Sequence, residues 1–184
     1  MAGKNGTHER PGGASLRLYD ANLNRASEGL RVAEDVFRFH LDLPGLAAEL
    51  KELRHQLLSV PLGAGLSRED LLRARDIEGD VGRDSATPES SSEPVDLTET
   101  AYRNLRRGAE AIRVLEEVSR SQGGASGALQ ELRYRIYSIE KAMLSFVDVA
   151  ARRGELLEAA RVCLLATAEA CPGGRACRRG TELH

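Results

Sequence analysis

The sequence has very few aromatic residues. It contains no tryptophan, three phenylalanines and four tyrosines, so aromatic side chains make up only 4% of the chain. A core without large rings has to be built mainly from leucine, valine, isoleucine and alanine. Leucine and alanine are also among the residues that favour helices, and the composition therefore predicts a helical protein.

Long apolar runs are absent as well. No stretch approaches the roughly 18 apolar residues that a membrane-spanning helix needs, and the N-terminal sequence lacks the apolar core of a signal peptide. We therefore expect a cytoplasmic protein that does not bind membranes. The formal net charge of -2 gives no support to a polyanion-binding surface, so nucleic acid is not an expected partner.

Cysteine is scarce and confined to the end of the chain. The spacing of Cys163, Cys171 and Cys177 matches neither a zinc ligand set nor a CxxC redox pair, and we interpret them as free thiols in a reducing compartment. The sequence also lacks a GxxxxGK[ST] phosphate loop, a GxGxxG turn after a strand, the HRD and DFG elements of protein kinases, and HExxH. These common motifs therefore do not identify a function.

A repeated pattern organises what is present. Residues 22–36 and 104–118 share Asn, Leu, Arg, Glu, Arg, Val, Glu and Val at matching positions, and residues 50–55 (LKELRH) are echoed by residues 129–134 (LQELRY). At a helical period, each copy has an apolar face beside a charged face. The unit is a helix pair used twice, which predicts an all-α four-helix bundle with pseudo-twofold symmetry.

Breaking and capping residues set the expected boundaries. Pro44 and Gly45 separate the first two helices, and Ser67 with Asp70 predicts a capping box for a short helix between the two halves. The expected helices cover 15–40, a second segment ending at 59, 67–74, 98–121 and 128–150. A charged, glycine-containing loop is expected at 75–84, inside a bundle domain at 15–150 that is flanked by a disordered segment at 1–14 and a tail at 151–184.

Two glutamates, Glu34 and Glu116, lie at the margin of the apolar faces. In the helices that follow, Arg54 and Arg133 hold comparable positions. A carboxylate in such a position has to be paired or has to bind something. The four residues are therefore expected either to form buried bridges that fix helix register or to support a binding site.

A charged stripe runs along the first copy of the repeat through Asn24, Glu28, Arg31 and Asp35, and Glu110 and Arg113 repeat part of it in the second copy. Exposed ion pairs along a helix would explain this stripe. The alternative is a binding site in which arginines gather phosphates and carboxylates hold Mg²⁺. The loop residues Arg75, Asp76, Asp80 and Arg83 could complete that site, or could belong to a solvated loop.

Five segments together resemble a small helical family: residues 20–35, 50–55, 75–82, 110–117 and 132–137. It is the hydroxymethylpyrimidine phosphate kinase family, which often occurs fused to the N-terminus of thiamine phosphate synthase, and the resemblance covers about residues 16–147. It implies transfer of the γ-phosphoryl group of ATP to 4-amino-5-hydroxymethyl-2-methylpyrimidine phosphate in thiamine biosynthesis. ATP and Mg²⁺ are the implied cofactors.

The resemblance also implies roles for individual residues. Catalysis is assigned to Arg31, Asp76 and Asp80, and metal binding to Asp35, Asp76 and Asp80. Substrate or nucleotide binding is assigned to Asn22, Asn24, Arg25, Glu28, Arg75, Asn104, Glu110 and Arg113. Support of the site is assigned to Glu34, Arg54, Glu116 and Arg133. Because Arg106 replaces Asn24 in the second copy, the two halves are expected to do different jobs.

The tail resembles the opening strand of the thiamine phosphate synthase barrel at residues 160–174. Since a lone strand has no sheet to join, we interpret 151–184 as a linker and a truncated remnant of a barrel domain; the alternative is an amphipathic helix at 155–170.

The alternative function for the whole chain is a non-catalytic helical module that binds or regulates thiamine phosphate synthase. A dimerising bundle without a ligand is a third reading. The synthase and a second copy of this chain are thus the candidate protein partners.

Overall fold

The computed structural model describes residues 12–61, 67–80, 95–122, 124 and 126–169, and side chains as far as residue 163. Within these ranges the chain forms five helices and no strand: α1 (Gly13–Phe39), α2 (Pro44–Ser59), α3 (Arg68–Ala74), α4 (Leu97–Ser121) and α5 (Ser126–Glu169). The predicted all-α fold class is confirmed. In the same ranges, no helix is long and apolar enough to cross a membrane.

Local chemistry explains where the helices begin. Pro44 occupies the first turn of α2, where the missing N–H costs no hydrogen bond. The Ser67 side chain accepts from the Asp70 N–H, and Asp70 accepts from the Ser67 N–H at 2.8 Å, which completes the predicted capping box of α3. At the start of α4, the Asp96 side chain accepts from the backbone N–H of Glu99.

The central contact of the bundle joins α1 to α4. Gly29 of α1 lies so close to α4 that an added Cβ would be 2.8 Å from the backbone oxygen of Asn104 and 3.5 Å from the nitrogen of Gly108. Leu30, Leu105 and other fully buried aliphatic side chains fill the interior beside this crossing. α1 also packs against α2 and α3, so it is the helix around which the first half is arranged.

Two buried ion pairs tie neighbouring helices together, as the marginal positions of their residues predicted. Arg54 of α2 donates to Glu34 of α1 at 3.2 and 3.3 Å, and Arg133 of α5 donates two hydrogen bonds to Glu116 of α4. Both carboxylates are buried. The pairs occupy corresponding positions in the two sequence copies, and their geometry supports the reading that they fix helix register.

Two expected helix limits are wrong. The described chain falls into two compact units, Met1–Lys141 and Ala142–His184. Helix α5 does not stop at 150 but continues to Glu169, and the helix α1 already includes Gly13 and Ala14 of the segment expected to be disordered. The remaining residues of that segment lie outside the described ranges.

The barrel strand expected at 160–174 is also wrong over its described part, because residues 160–169 are helical. The segment is rich in alanine, leucine, glutamate and arginine, which favour a helix, and a single strand would leave its backbone groups without ladder partners. The alternative of a helix over this part of the tail is therefore confirmed as far as Glu169. Side chains of residues 151–163 are exposed.

Candidate functional site

A cleft lies between α1 and α4, and we call it the α1–α4 cleft. It has a volume of about 400 Å³, within the usual range for small-molecule sites. Its walls are formed by Asn22, Arg25, Glu28 and Gly29 of α1 and by Asn104, Arg107, Glu110, Ala111 and Val114 of α4. Five of the predicted binding residues therefore line one cleft: Asn22, Arg25, Glu28, Asn104 and Glu110.

The cleft arises from the close crossing of the two helices. Because Gly29 has no side chain, the backbones of α1 and α4 approach each other at the base of the cleft. Arg25 and Glu28 then extend from one helix, and Arg107 and Glu110 extend from the other. Each helix thus contributes one guanidinium and one carboxylate to the rim.

The two asparagines are held in place by their own helices. Asn22 donates from Nδ2 to the carbonyl oxygen of Leu18, and Asn104 donates to that of Thr100, both at 2.8 Å. These bonds fix the side-chain rotamers and leave each amide oxygen able to accept a hydrogen bond from a ligand. The same arrangement on both helices gives the cleft two oriented acceptors.

The charged rim of the cleft is neutralised only in part, because Glu110 interacts electrostatically with Arg106 but makes no hydrogen bond to it. Arg25, Glu28, Arg107 and Glu110 are exposed, and none of them has a hydrogen bond or ion pair to another residue in the described ranges. Neighbouring arginines of the bundle, such as Arg31 and Arg113, do have such partners. The cleft can therefore offer both cationic and anionic groups to a polar ligand.

Other predicted site residues lie elsewhere, in ion pairs along the helix surfaces. Arg31 donates to Asp35 at 3.1 Å, and Arg113 donates to Glu116 at 2.9 Å while also pairing with Glu117. These contacts are the i,i+3 and i,i+4 pairs that the simpler reading of the charged stripe predicted. None of these residues lines the α1–α4 cleft.

The loop after α3 is tied to the N-terminal half of α1. Arg75 donates to both carboxylate oxygens of buried Asp20, at 2.7 and 2.9 Å, and these bonds raise the pKa of the Arg75 guanidinium. Asp76 accepts from Arg17 at 3.0 Å and from the Gly79 N–H at 2.8 Å. Arg75 and Asp76 thus position the loop on α1, and neither lines the cleft.

The expected metal site is not assembled in the described part of the chain. No group of three or more histidine, cysteine, aspartate or glutamate side chains there could hold a metal ion. Asp35 lies on α1 beside Val36 and Phe39, whereas Asp76 belongs to the loop after α3 and is held by Arg17. The donor set Asp35, Asp76 and Asp80 therefore does not fit a single Mg²⁺ site, and Arg83 lies outside the described ranges.

Sequence reasoning missed Arg107, and it assigned Asn24 to binding although Asn24 does not line the cleft. A signal for Arg107 was present, because Arg107 matches Arg25 when the two repeat copies are aligned. Asn24 instead faces Asp20, with its Nδ2 at 3.5 Å from Oδ1. Arg107 lies on the side of α4 that lines the cleft, whereas Asn24 lies on a side of α1 that does not.

Comparison with known proteins gives matches over most of the chain. The model of the ThiD2 family matches residues 17–142. Among the curated relatives named thiamine-phosphate synthase, the protein from Synechocystis sp. is 42% identical over 132 residues, which cover 71% of this chain and 36% of the relative. The protein of that name from Nostoc sp. PCC 7120 is 36% identical over 150 residues, which cover 81% of this chain and 39% of the relative. The protein of that name from Rhodopirellula baltica is 35% identical over 153 residues (82% and 40%). No solved structure matches.

These matches link the chain to thiamine biosynthesis and to thiamine-phosphate synthase, and they overturn one expectation. The prediction that the chain is a hydroxymethylpyrimidine phosphate kinase is wrong, because the relatives at 35 to 42% identity are named for the synthase and not for the kinase. The chain spans well under half the length of these relatives.

Proposed function

This chain belongs to the ThiD2 family, and from that membership and the geometry of the α1–α4 cleft we propose that it is a helical ligand-binding module of thiamine biosynthesis. The module binds a phosphorylated pyrimidine, such as 4-amino-5-hydroxymethyl-2-methylpyrimidine phosphate, in the α1–α4 cleft. It acts together with a thiamine-phosphate synthase and does not itself transfer a phosphoryl group.

The observation that carries this proposal is the pair of arginines without partners on the two sides of the cleft. Arg25 and Arg107 come from different helices, and neither is neutralised by a described carboxylate. Guanidinium groups bind phosphate through charge-assisted and often paired hydrogen bonds. A phosphate between the two helices would bind both arginines, whereas an apolar ligand would leave both charges unused.

The remaining polar groups suit the other end of such a ligand. Glu28 and Glu110 can accept hydrogen bonds from an exocyclic amine or a hydroxymethyl group, and so can the amide oxygens of Asn22 and Asn104. Ala111 and Val114 provide a small apolar surface for a ring. The cleft volume of about 400 Å³ accommodates one ligand of this size.

Isothermal titration calorimetry with hydroxymethylpyrimidine phosphate tests the proposal. Arg25→Ala and Arg107→Ala should each weaken binding about 10- to 100-fold, since a hydrogen bond to a charged group contributes about 1.5–3 kcal/mol. Arg103→Ala is the matched control, because Arg103 lies on α4 but pairs with Glu99 at 2.8 Å outside the cleft. The phosphate-free pyrimidine should bind more weakly than the phosphate.

Equal affinity of the wild type and the Arg25→Ala/Arg107→Ala double variant would contradict the proposal. Association with the synthase is a separate question, which sedimentation of this chain with an intact thiamine-phosphate synthase answers. A complex that forms with wild-type protein and with the cleft variants alike would show that docking uses another surface.

A further inference from the structure

A second cleft lies between α4 and the first part of α5, and Glu110 of α4 also borders it. We call it the α4–α5 cleft, and its volume is about 460 Å³. It is lined by Arg106, Ala109, Glu110, Arg113, Tyr137 and Glu140. All six residues belong to the first compact unit, so the two walls of the cleft lie within one body.

Glu140 has a feature that helix packing does not explain. Its Oε1 atom is buried and has no hydrogen-bond partner. A buried acceptor without a partner has lost its hydrogen bond to water and destabilises the folded chain, more so when it is charged. Burial raises the pKa of the Glu140 carboxyl, and the charge of Arg106 only partly offsets this effect. The carboxyl group therefore lacks the N–H donor that would stabilise it.

The same cleft also offers donors, Arg106 on α4 and Tyr137 on α5 one turn before Glu140. Arg106 makes only a 3.4 Å hydrogen bond to the hydroxyl of Tyr102, so most of its N–H groups remain available. The Tyr137 hydroxyl accepts from Arg133 at 3.1 Å, which leaves its own proton to donate. The buried Oε1 of Glu140, which lacks a donor, thus lines the same cavity as N–H and O–H donors that are only partly used.

We propose that the α4–α5 cleft is a binding site for a phosphorylated amine, in which a cationic N–H group of the ligand donates to Glu140 and its phosphate accepts from Arg106 and Tyr137. The ligand supplies the donor that the buried Oε1 lacks, and its phosphate accepts from N–H groups of Arg106 that make no hydrogen bond to the nearby carboxylates Glu110 and Glu140. It satisfies both ends of the cavity at once, which neither an amine nor a phosphate alone does.

This site goes beyond the function proposed above, because Glu110 is the one residue that lines both clefts and neither Arg25 nor Arg107 lines the α4–α5 cleft. It also accounts for a difference between the sequence copies. Arg106 replaces Asn24 of the first copy, and the positions of the first helix pair that correspond to Tyr137 and Glu140 are Leu58 and Pro61. The residues that give this cleft its chemistry are thus specific to the second half.

Phosphoethanolamine is the probe, because it joins a primary ammonium group to a phosphate in a molecule small enough for the cavity. Equilibrium dialysis detected by phosphorus NMR should give a dissociation constant in the millimolar range, as expected for so small a ligand. Phosphocholine, which has no N–H group, should bind at least about tenfold more weakly, and so should inorganic phosphate. Equal binding of phosphocholine, or no binding of phosphoethanolamine at tens of millimolar, would overturn the proposal.

Substitution of the carboxylate gives an independent test. Glu140→Leu should weaken phosphoethanolamine binding at least about tenfold, whereas Glu131→Leu, an exposed change on the same helix, should not. Glu140→Gln keeps the size and one acceptor oxygen and should lose less affinity than Glu140→Leu. The Arg25→Ala/Arg107→Ala variant should bind this probe normally, which separates the two clefts. Wild-type affinity in Glu140→Leu would refute the assignment, and thermal melts confirm that each variant is folded.

Discussion

Replacement of Arg133 by alanine should destabilise the bundle far more than removal of an exposed arginine. Arg133 donates two hydrogen bonds to Glu116, whose side chain is 0% exposed, and only 12% of the Arg133 side chain is exposed. These bonds to Glu116 raise the pKa of the Arg133 guanidinium, with a further contribution from Tyr137. The variant would leave a fully buried carboxylate without its principal partner.

The expected magnitude follows from that burial. Removing one partner of a buried ion pair costs about 3–5 kcal/mol. Arg113 also reaches Glu116, at 2.9 Å, but its side chain is half exposed, so it compensates only in part. We therefore expect a loss near the lower limit, about 3 kcal/mol. With a urea dependence of about 1–3 kcal/mol per molar, the unfolding midpoint should fall by roughly 1–3 M.

Urea unfolding followed by circular dichroism at 222 nm measures this loss. The matched control is Arg120→Ala, because Arg120 pairs with Glu117 at 2.9 Å while both side chains are about half exposed; it should cost less than about 1 kcal/mol. The double variant Arg133→Met/Glu116→Leu removes the charge together with its partner. It should recover most of the stability lost in Arg133→Ala.

Two results would refute the reasoning. If Arg133→Ala cost no more than Arg120→Ala, the buried carboxylate would not depend on Arg133. If the double variant were as unstable as Arg133→Ala, the loss would come from packing of the arginine side chain and not from an orphaned charge.

Three further predictions concern a glycine, a carboxylate and the tail. Gly29→Ala should cost about 1–3 kcal/mol in urea unfolding, because its Cβ would lie 2.8 Å from the backbone oxygen of Asn104; Gly45→Ala, which meets open space, should be neutral or stabilising. Burial raises the pKa of Glu140, so the unfolded chain loses this proton at a lower pH than the folded chain. Relative to Glu140→Gln, the wild type should therefore lose thermal stability as the pH rises from about 4 to about 7, and a constant difference in melting temperature would contradict this. Deletion of residues 151–184 should change the free energy of unfolding by less than about 0.5 kcal/mol, because the side chains of 151–163 are exposed; a large fall in melting temperature would show that the tail is part of the stable structure.

Local sequence signals predicted the helices well. The start of α2 at Pro44, the capping box of α3 and the end of α4 at Ser121 follow from residues within one turn of each boundary. The extent of α5 was predicted less well. Its continuation to Glu169 runs through residues 151–163, whose side chains are exposed, so helix propensity is the local signal for this part of the helix.

The candidate site was predicted in part. Five residues expected to bind a ligand line the α1–α4 cleft, because their repeated positions place them on the same face of equivalent helices. The charge pattern of the loop suggested either a part of the site or a solvated loop, and the structure places Arg75 and Asp76 in ion pairs with Asp20 and Arg17. Sequence spacing does not reveal such partners, which lie more than fifty residues away in the chain.

The sequence by itself determined the helical class and placed two Glu and two Arg residues at the edges of the apolar faces, because a period of 3.6 residues fixes which side chains share a face. Only the tertiary structure decided that these residues pair across helices and which arginines line a cleft. Arg31 and Arg25 are six residues apart on the same helix, yet Arg31 pairs with Asp35 and Arg25 faces the cleft without a partner. The Arg31 pair is local to α1, whereas the place of Arg25 on the cleft depends on the crossing of α1 and α4 at Gly29, where the backbones approach closely and Arg25 and Arg107 lie on one rim.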